Sequence, residues 1–276
     1  MHDSIIAFIF GILEGITEFL PISSTGHIIL VGNLLGFMGN KAKSFETVVQ
    51  LGSILAIVKV FWERLFNLTK TYLEKIYRLE YNHLCNKSSQ LNFNHILLGV
   101  TPSVIVGSIC YEQIKSIYIP IYVMYALIAG GMLLLAGEWI KLTVISRTEN
   151  INELTYLQAF LIGCFQCLAF WPGFSRSGAT ISGGLIVNVS RYAASEFSFI
   201  LAIPTLLGAS MVDLYKNLPF LVWQDFSMFI IGFTTAFLVA RLSVKLFLRI
   251  IRHVSFVPFA IYRFFLAAMI YWSLAG

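Results

Sequence analysis

Charged residues are scarce in this chain, and that scarcity excludes most soluble folds. Asp, Glu, Lys and Arg make up 12% of the 276 residues, whereas hydrophobic residues make up 58%. Soluble globular domains carry about 25% charged residues. The composition therefore predicts an integral membrane protein, and at this length a single membrane domain over residues 1–276 is expected.

Cysteines and basic clusters are too few to indicate a metal or nucleic-acid site. There are four cysteines, and two of them form the stretch Cys164-Phe-Gln-Cys167. This pair lies in an apolar helical run and no second pair accompanies it, so we interpret it as helix packing rather than a redox or zinc site. The net charge of +5 is assigned to cytoplasmic loops and anionic lipid, and no nucleic acid partner is expected. The first residues contain no basic n-region and no small-residue cleavage site, so no removable signal peptide is expected.

Polar residues do gather in one apolar region, residues 11–27, which read Gly-Ile-Leu-Glu-Gly-Ile-Thr-Glu-Phe-Leu-Pro-Ile-Ser-Ser-Thr-Gly-His. Glu14 and Glu18 are four apart, so a helix places them on one face. Pro21 predicts a break in that helix, and the hydroxyls of residues 23–25 suit the start of a second one. A broken helix inside a membrane is tolerated only where it is buried in protein or lines a wet cavity. The stretch therefore predicts a functional site.

A second stretch has the same layout. Residues 163–180 read Gly-Cys-Phe-Gln-Cys-Leu-Ala-Phe-Trp-Pro-Gly-Phe-Ser-Arg-Ser-Gly-Ala-Thr. A shift of 152 residues brings Gln166 onto the position of Glu14 and Arg176 onto that of Ser24. Paired interrupted segments in two halves of a membrane protein predict an internal repeat with the site between the halves.

The two stretches resemble the signature motifs of the undecaprenyl pyrophosphate phosphatase family, also known from bacitracin resistance. The resemblance rests on residues 14–27 and 172–180, and it extends over essentially the whole chain, including residues 195–199 and 259–264. It implies hydrolysis of undecaprenyl diphosphate to undecaprenyl phosphate and inorganic phosphate, which recycles the lipid carrier for cell-wall synthesis. It also implies dependence on a divalent cation.

Apolar runs predict an all-α membrane fold with six transmembrane helices and two re-entrant hairpins. Residues 5–38 and 156–186 are each interrupted by polar residues and a break, so we interpret them as the hairpins rather than as spans. Residues 63–92 are polar and are predicted to form the only long loop, which is solvated in the cytoplasm, and residues 140–155 form a polar connector. The predicted spans are 45–62, 93–111, 119–139, 194–214, 227–248 and 256–275.

Lysine and arginine set the predicted orientation. With the loop at 63–92 in the cytoplasm, twelve basic residues lie on that side and four on the other, as the positive-inside rule requires. Both termini then face the outside of the bacterial cytoplasmic membrane, and the hairpins enter from opposite sides. This is an inverted-topology repeat of residues 1–139 and 156–276.

Three charged residues in apolar sequence are expected to carry the chemistry. An unpaired Asp, Lys or Arg at the centre of a membrane helix costs about 2.5–3.5 kcal/mol, so Glu14, Glu18 and Arg176 must be paired, hydrated or bound to an ion. Two adjacent carboxylates are relieved by a divalent cation, Mg²⁺ or Ca²⁺, with Glu14 and Glu18 as the ligands. The alternative is one protonated glutamate acting as general acid or base. Arg176 matches phosphate oxygens, or it serves only as a counter-ion of Glu18.

Hydroxyls and a histidine complete the candidate site. The family motif makes Ser24 the candidate nucleophile, with His27 or Glu18 taking its proton; attack by water is the alternative. Ser23 is expected to bind phosphate or only to cap a helix. The remaining candidate residues have three expected roles. The other candidate phosphate ligands are Thr25, Ser175, Ser177 and Thr180. Gln166 is expected to support the site from behind. Cavity lining or packing is left open for Glu46, Gln50, Glu196 and Arg263.

The expected substrate is a membrane lipid whose diphosphate headgroup enters a polar pocket between the hairpins. Broken helices in an inverted repeat are also a transporter architecture, so a lipid-phosphate flippase using the same pocket is the alternative function. The expected partners are the lipid substrate and the bilayer, and the resemblance leaves a homodimer open.

Overall fold

The computed structural model describes residues 2–77, 91–110, 113–114, 119–144, 146–217 and 225–275. Regular structure in these ranges is helical, apart from one isolated bridge between Thr148 and Val189. Two short 3-10 turns, Ile151–Glu153 and Cys167–Phe170, accompany the α-helices. The helices are α1 (His2–Thr17), α2 (Ser24–Leu35), α3 (Asn40–Val60), α4 (Trp62–Tyr77), α5 (Phe93–Ile109), α6 (Pro120–Thr143), α7 (Tyr156–Gln166), α8 (Arg176–Ile186), α9 (Arg191–Asn217), α10 (Phe226–Ile250) and α11 (Val257–Ala275).

Each predicted span coincides with a helix, namely α3, α5, α6, α9, α10 and α11. Among the described residues, α6, α9, α10 and α11 are long and apolar enough to cross a membrane by themselves. A fifth candidate is the pair α3 and α4, which is bent by 74°. With 17 residues, α5 is about 25 Å long, shorter than the bilayer core of about 30 Å. The all-α membrane fold is confirmed, while the count of six spans and two hairpins stays a prediction.

The predicted loop over 63–92 is wrong in its first part, because α4 occupies Trp62–Tyr77. One side of α4 carries Leu65 and Leu68, which pack on the main hydrophobic core. Tyr72 also contacts Phe93 of α5, with ring centroids 4.7 Å apart. An apolar stripe at helical spacing therefore outweighs the high charge that suggested a loop. Residues 78–90 lie outside the described part of the chain.

The two hairpins pack against opposite halves of the molecule. In the first hairpin, α1 packs on α10, and α2 contacts α11 and α6. In the second, α7 packs on α5, and α8 packs on α6 and α9. Close approach is needed where α7 meets α5, because a Cβ on Gly163 would lie 2.2 Å from the carbonyl oxygen of Gly99. Each predicted hairpin thus packs mainly on spans of the other half, and it also contacts at least one span of its own half.

Ion pairs mark one end of the bundle. Lys41 Nζ lies 3.2 Å from Asp3 Oδ2 and 2.8 Å from Asp225 Oδ1, and these contacts join the starts of α1, α3 and α10. The first hairpin begins here, and it returns here because α2 is followed directly by α3.

Other ion pairs mark the opposite end. Arg191, at the start of α9, binds the Glu138 carboxylate near the end of α6 through two bonds of 2.8 and 2.5 Å. Arg64, which follows the far end of α3, lies 3.2 Å from Glu196 in the same region of α9. The second hairpin opens toward this end, since α8 leads directly into α9. The two predicted hairpins therefore begin at opposite ends of the bundle, which is compatible with an inverted repeat. The repeat and its division at 1–139 and 156–276 stay predictions.

Candidate active site

The first helix break presents the N-terminus of α2. α1 ends at Thr17, and Ser23 caps α2 by accepting a hydrogen bond from the Gly26 N–H at 3.4 Å. Ser23 has φ 69° and ψ 99°, in a region that residues other than glycine rarely occupy. Such strained backbone concentrates at functional sites.

The second break repeats this geometry. Ser175 caps α8 by accepting from the Gly178 N–H at 3.1 Å, and its φ of 72° and ψ of 115° nearly match those of Ser23. The offset of 152 residues found in the sequence therefore pairs two serines that play the same local part. A helix N-terminus begins at each of these two serines. The free N–H groups of a helix N-terminus are a preferred binding position for anions.

One ion pair joins the two breaks. Arg176 Nη2 lies 3.3 Å from Glu18 Oε1, and the Ser24 hydroxyl donates to Glu18 Oε2 at 2.8 Å. The guanidinium also donates from Nη1 to the Ser198 carbonyl oxygen at 3.1 Å, and it lies over the Phe19 ring. The side chains of Glu18 and Arg176 are 6% and 10% exposed, so the pair is shielded from water and its geometry is fixed. The predicted juxtaposition of Glu18, Ser24 and Arg176 is present.

A small cavity of about 150 Å³ opens between the two helix N-termini. Its lining is rich in hydroxyl, carboxylate, guanidinium and amide groups. It is formed by Glu18, Ser23, Ser24, Thr25, Gln50, Ala169, Gly173, Ser175, Arg176 and Leu206. Arg176 Nε is buried and has no hydrogen-bond partner among the described residues, so a donor remains for a ligand. The cavity thus suits a compact anionic group.

Ser177 and Thr180 do not line this cavity in the described part of the chain. The Ser177 hydroxyl donates to the Leu20 carbonyl oxygen at 2.9 Å and so ties the second break to the first. The Thr180 hydroxyl donates to the Arg176 carbonyl oxygen at 2.9 Å and lies 2.6 Å from Ser198 Oγ. Both side chains are fully buried, and these contacts support the site from behind. Their role as phosphate ligands stays a prediction, and the arrangement does not favour it.

His27 does not hydrogen-bond to Ser24 in the described part of the chain. Its Nδ1 lies 2.7 Å from the Ser23 carbonyl oxygen and its Nε2 lies 2.8 Å from the Tyr262 hydroxyl, so both ring nitrogens are engaged. The base that contacts Ser24 is Glu18. Of the two proton acceptors left open by the sequence, the geometry favours the carboxylate.

The residues at the two repeat-related positions, Glu14 and Gln166, differ in their surroundings. Glu14 is buried one turn before Glu18 and interacts electrostatically with Glu18, Glu46 and Arg176. Gln166 donates to the Ser103 hydroxyl of α5 at 2.6 Å and lies outside the cavity lining. Of these two positions, only the one in the first stretch is acidic.

The donors around Glu14 and Glu18 fit a hard divalent cation only if other oxygens complete the set. Within the described ranges no group of three or more His, Cys, Asp or Glu side chains could hold a metal. Two carboxylates with nearby hydroxyls remain, and Mg²⁺ is often bound by one or two carboxylates together with substrate phosphates. Glu18 lines the cavity and fits that mode, whereas Glu14 is buried outside the cavity lining in the described part of the chain, so its role as a metal ligand stays a prediction.

The structure also decides several open assignments. Gln50 lines the cavity and accepts from the Ser210 hydroxyl at 2.8 Å, whereas Glu196 pairs with Arg64 away from it. Arg263 is fully buried and is a packing partner rather than a lining residue. Sequence reasoning missed the lining residues Ala169 and Leu206, whose apolar side chains carry no signal in a membrane chain.

Only one member of the cysteine pair, Cys167, makes the packing contact expected for both. The Cys167 thiol donates to the Gly163 carbonyl oxygen one turn earlier, at 3.6 Å, and Cys164 is exposed on the side of α7.

One protein-family model matches nearly the whole chain. The family model described as bacitracin resistance protein BacA matches residues 7–269, which include both breaks, the cavity and most of α11. The chain belongs to the BacA family. BacA proteins are undecaprenyl pyrophosphate phosphatases that confer bacitracin resistance. The resemblance drawn from the motifs is thereby confirmed.

BacA membership makes this chain a membrane-embedded hydrolase of a lipid diphosphate, with a role in cell-wall synthesis. It also places the chain in the inner membrane as a multi-pass protein. The family match supports the phosphatase over the lipid-phosphate transporter.

Proposed function

We propose that this BacA-family chain cleaves the terminal phosphate of undecaprenyl diphosphate in the cavity between the two hairpins, and so recycles the carrier lipid for peptidoglycan synthesis. The observation that carries the proposal is the contact of Glu18 with both Ser24 and Arg176 across that cavity. It brings a nucleophile, a base and a phosphate-binding cation within one pocket.

Binding of the headgroup follows from the donors that line the cavity. The free N–H groups of α2 and α8 attract anions, and the Arg176 fork matches phosphate oxygens in geometry. Ser23, Thr25 and Ser175 add hydroxyl donors at the same place. The cavity volume of about 150 Å³ suits the diphosphate headgroup and is too small for the isoprenoid chain, which we expect to stay in the bilayer.

The reaction is a phosphoryl transfer in two steps. The Ser24 oxygen attacks the terminal phosphorus, and the bond from that phosphorus to the bridging oxygen breaks. Glu18 Oε2, 2.8 Å from the Ser24 oxygen, takes the hydroxyl proton, and undecaprenyl phosphate leaves. Water then hydrolyses the phosphoserine, which releases inorganic phosphate and restores the Ser24 hydroxyl. Arg176 stabilises the charge on the transferred group, as is usual for catalysis that depends on positioning and electrostatics.

Direct attack by water is the second route. In that case Glu18 takes a proton from the water, and Ser24 only positions it. The two routes differ in whether the Ser24 oxygen ever bonds to phosphorus, so trapping a phosphoserine separates them.

Glu14 and Glu18 would hold a divalent cation, Mg²⁺ or Ca²⁺, together with diphosphate oxygens. When bound, such an ion neutralises part of the substrate charge. Arg176 and the two helix N-termini then orient the terminal phosphate toward Ser24.

The test is phosphate release by the purified chain in liposomes that contain an isoprenyl diphosphate. We expect inorganic phosphate in proportion to lipid monophosphate, and loss of release in excess chelator. Full release in chelator would remove the cation from the mechanism. Lipid movement across the bilayer without any phosphate would overturn the proposed function in favour of transport.

A further inference from the structure

Arg263 of α11 is a fully buried cation whose hydrogen bonds, within the described part of the chain, all go to backbone carbonyl oxygens. Its Nη2 donates to the carbonyl oxygens of Phe174 at 2.6 Å and Gly173 at 3.3 Å, in the turn that leads into α8. It also donates from Nη2 to Ala126 and from Nε to Leu127, each at 3.2 Å, on α6. Burying a charge is costly unless it is well bonded, so this residue needs a structural reason to be here.

The surroundings of the guanidinium are shaped for it. A Cβ on Gly130 would lie 2.1 Å from Nη2, and a Cβ on Gly178 would lie 2.7 Å from Nη1. Any larger residue at either glycine would displace the guanidinium. Gly130 on α6 and Gly178 on α8 therefore leave the space that the guanidinium occupies. This space lets Arg263 pack against the turn that precedes Ser175 and Arg176.

The neighbouring residue on α11 reaches the other break. The Tyr262 hydroxyl lies 2.8 Å from His27 Nε2, and the two rings are stacked with centroids 5.5 Å apart. His27 Nδ1 in turn lies 2.7 Å from the carbonyl oxygen of Ser23, the cap of α2. Two consecutive residues of one helix thus contact the two helix N-termini that border the cavity.

We propose that Tyr262 and Arg263 are a pair of positioning residues that hold the two helix N-termini in fixed relative placement. Tyr262 acts through His27 on the first break, and Arg263 acts through the Gly173 and Phe174 carbonyls on the second. Reactive groups placed by rigid elements hold the short distances that phosphoryl transfer needs. Neither residue lines the cavity in the described part of the chain, so the expected effect of the pair is on geometry. The proposal rests on the proposed function only where turnover is the readout.

Hydrogen exchange tests the proposal without any substrate. In the intact chain in detergent, Arg263→Lys should speed amide exchange about tenfold in peptides covering 173–178, with peptides covering 22–27 within about twofold of wild type. Tyr262→Phe, which removes one oxygen, should show the opposite pattern. Arg191→Lys is the control, because it alters a buried ion pair near the far end of α6 and should change neither peptide. Equal acceleration of both peptides in each variant, or of neither, would overturn the proposal.

Turnover gives the second readout. Arg263→Lys should lower kcat at least tenfold while KM stays within about threefold, because placement of the reacting groups is lost and the cavity donors are kept. Tyr262→Phe should lower kcat about threefold to tenfold in the same way. Wild-type kcat in both variants would contradict the positioning role, whereas an inactive wild-type chain would contradict the proposed function and leave the exchange result standing.

Discussion

Arg176→Lys separates the two roles that its geometry allows. Arg176 lies 3.3 Å from Glu18 Oε1, where opposite charges at an effective dielectric constant of about 20 attract by about 5 kcal/mol. Lysine keeps that charge. If Arg176 only neutralises Glu18, the substitution should therefore leave turnover almost unchanged.

Lysine does not keep the planar guanidinium, whose several N–H donors match phosphate oxygens. Arg176 uses Nη1 for the Ser198 carbonyl oxygen and Nη2 for Glu18, and its buried Nε has no partner among the described residues. A single ammonium lacks this planar set of donors toward phosphate oxygens. If Arg176 grips the transferred phosphate in the transition state, Arg176→Lys should cut kcat at least tenfold, equivalent to about 1.4 kcal/mol.

The assay is phosphate release from an isoprenyl diphosphate, with kcat and KM measured separately in wild type, Arg176→Lys and Arg176→Ala. Arg176→Ala should be worse than Arg176→Lys, and it should also lower stability, because removing one partner of a buried pair costs about 3–5 kcal/mol. Arg191→Lys is the matched control for loss of a bidentate arginine outside the cavity. An Arg176→Lys enzyme with wild-type kcat and KM would refute the phosphate role, and a change confined to KM would indicate ground-state binding only.

Other outcomes test the nucleophile, the packing and the topology. Ser24→Ala should insert normally and lose most turnover, since it removes the hydroxyl bonded to Glu18 but little packing; near-normal turnover would make water the nucleophile. Gly52→Ala should lower the thermal midpoint by several degrees, because its Cβ would lie 2.4 Å from the Phe233 carbonyl oxygen, whereas Gly208→Ala, with nothing within 4 Å, should not; equal midpoints would contradict the close α3–α10 contact. A reporter active only in the cytoplasm should stay silent when fused after the last residue, and a signal would reverse the predicted orientation of the termini.

The local features of the site could be predicted from the sequence because their causes are local. Pro21 breaks a helix wherever it lies, and a serine hydroxyl caps the N–H three residues later, as Ser23 and Ser175 both do. The repeat offset, the membrane class and the starts of α2 and α8 follow from such short-range chemistry. The high charge of residues 63–92 alone, however, led to the wrong prediction of a loop where α4 lies. An apolar stripe at helical spacing can coexist with many charges.

Tertiary structure alone decided which of the alternative contacts left open by the sequence form. Ser24 and His27 are three residues apart and were expected to act together, yet the fold turns Ser24 toward Glu18 and His27 toward Tyr262 on α11. The contact of Arg176 with Glu18 joins residues 158 positions apart. Arg263 donates hydrogen bonds to backbone carbonyl oxygens, which leave no signature in the sequence. Periodicity and capping act within a few residues of the chain, whereas these contacts depend on how whole helices pack, and one-dimensional patterns do not record that packing.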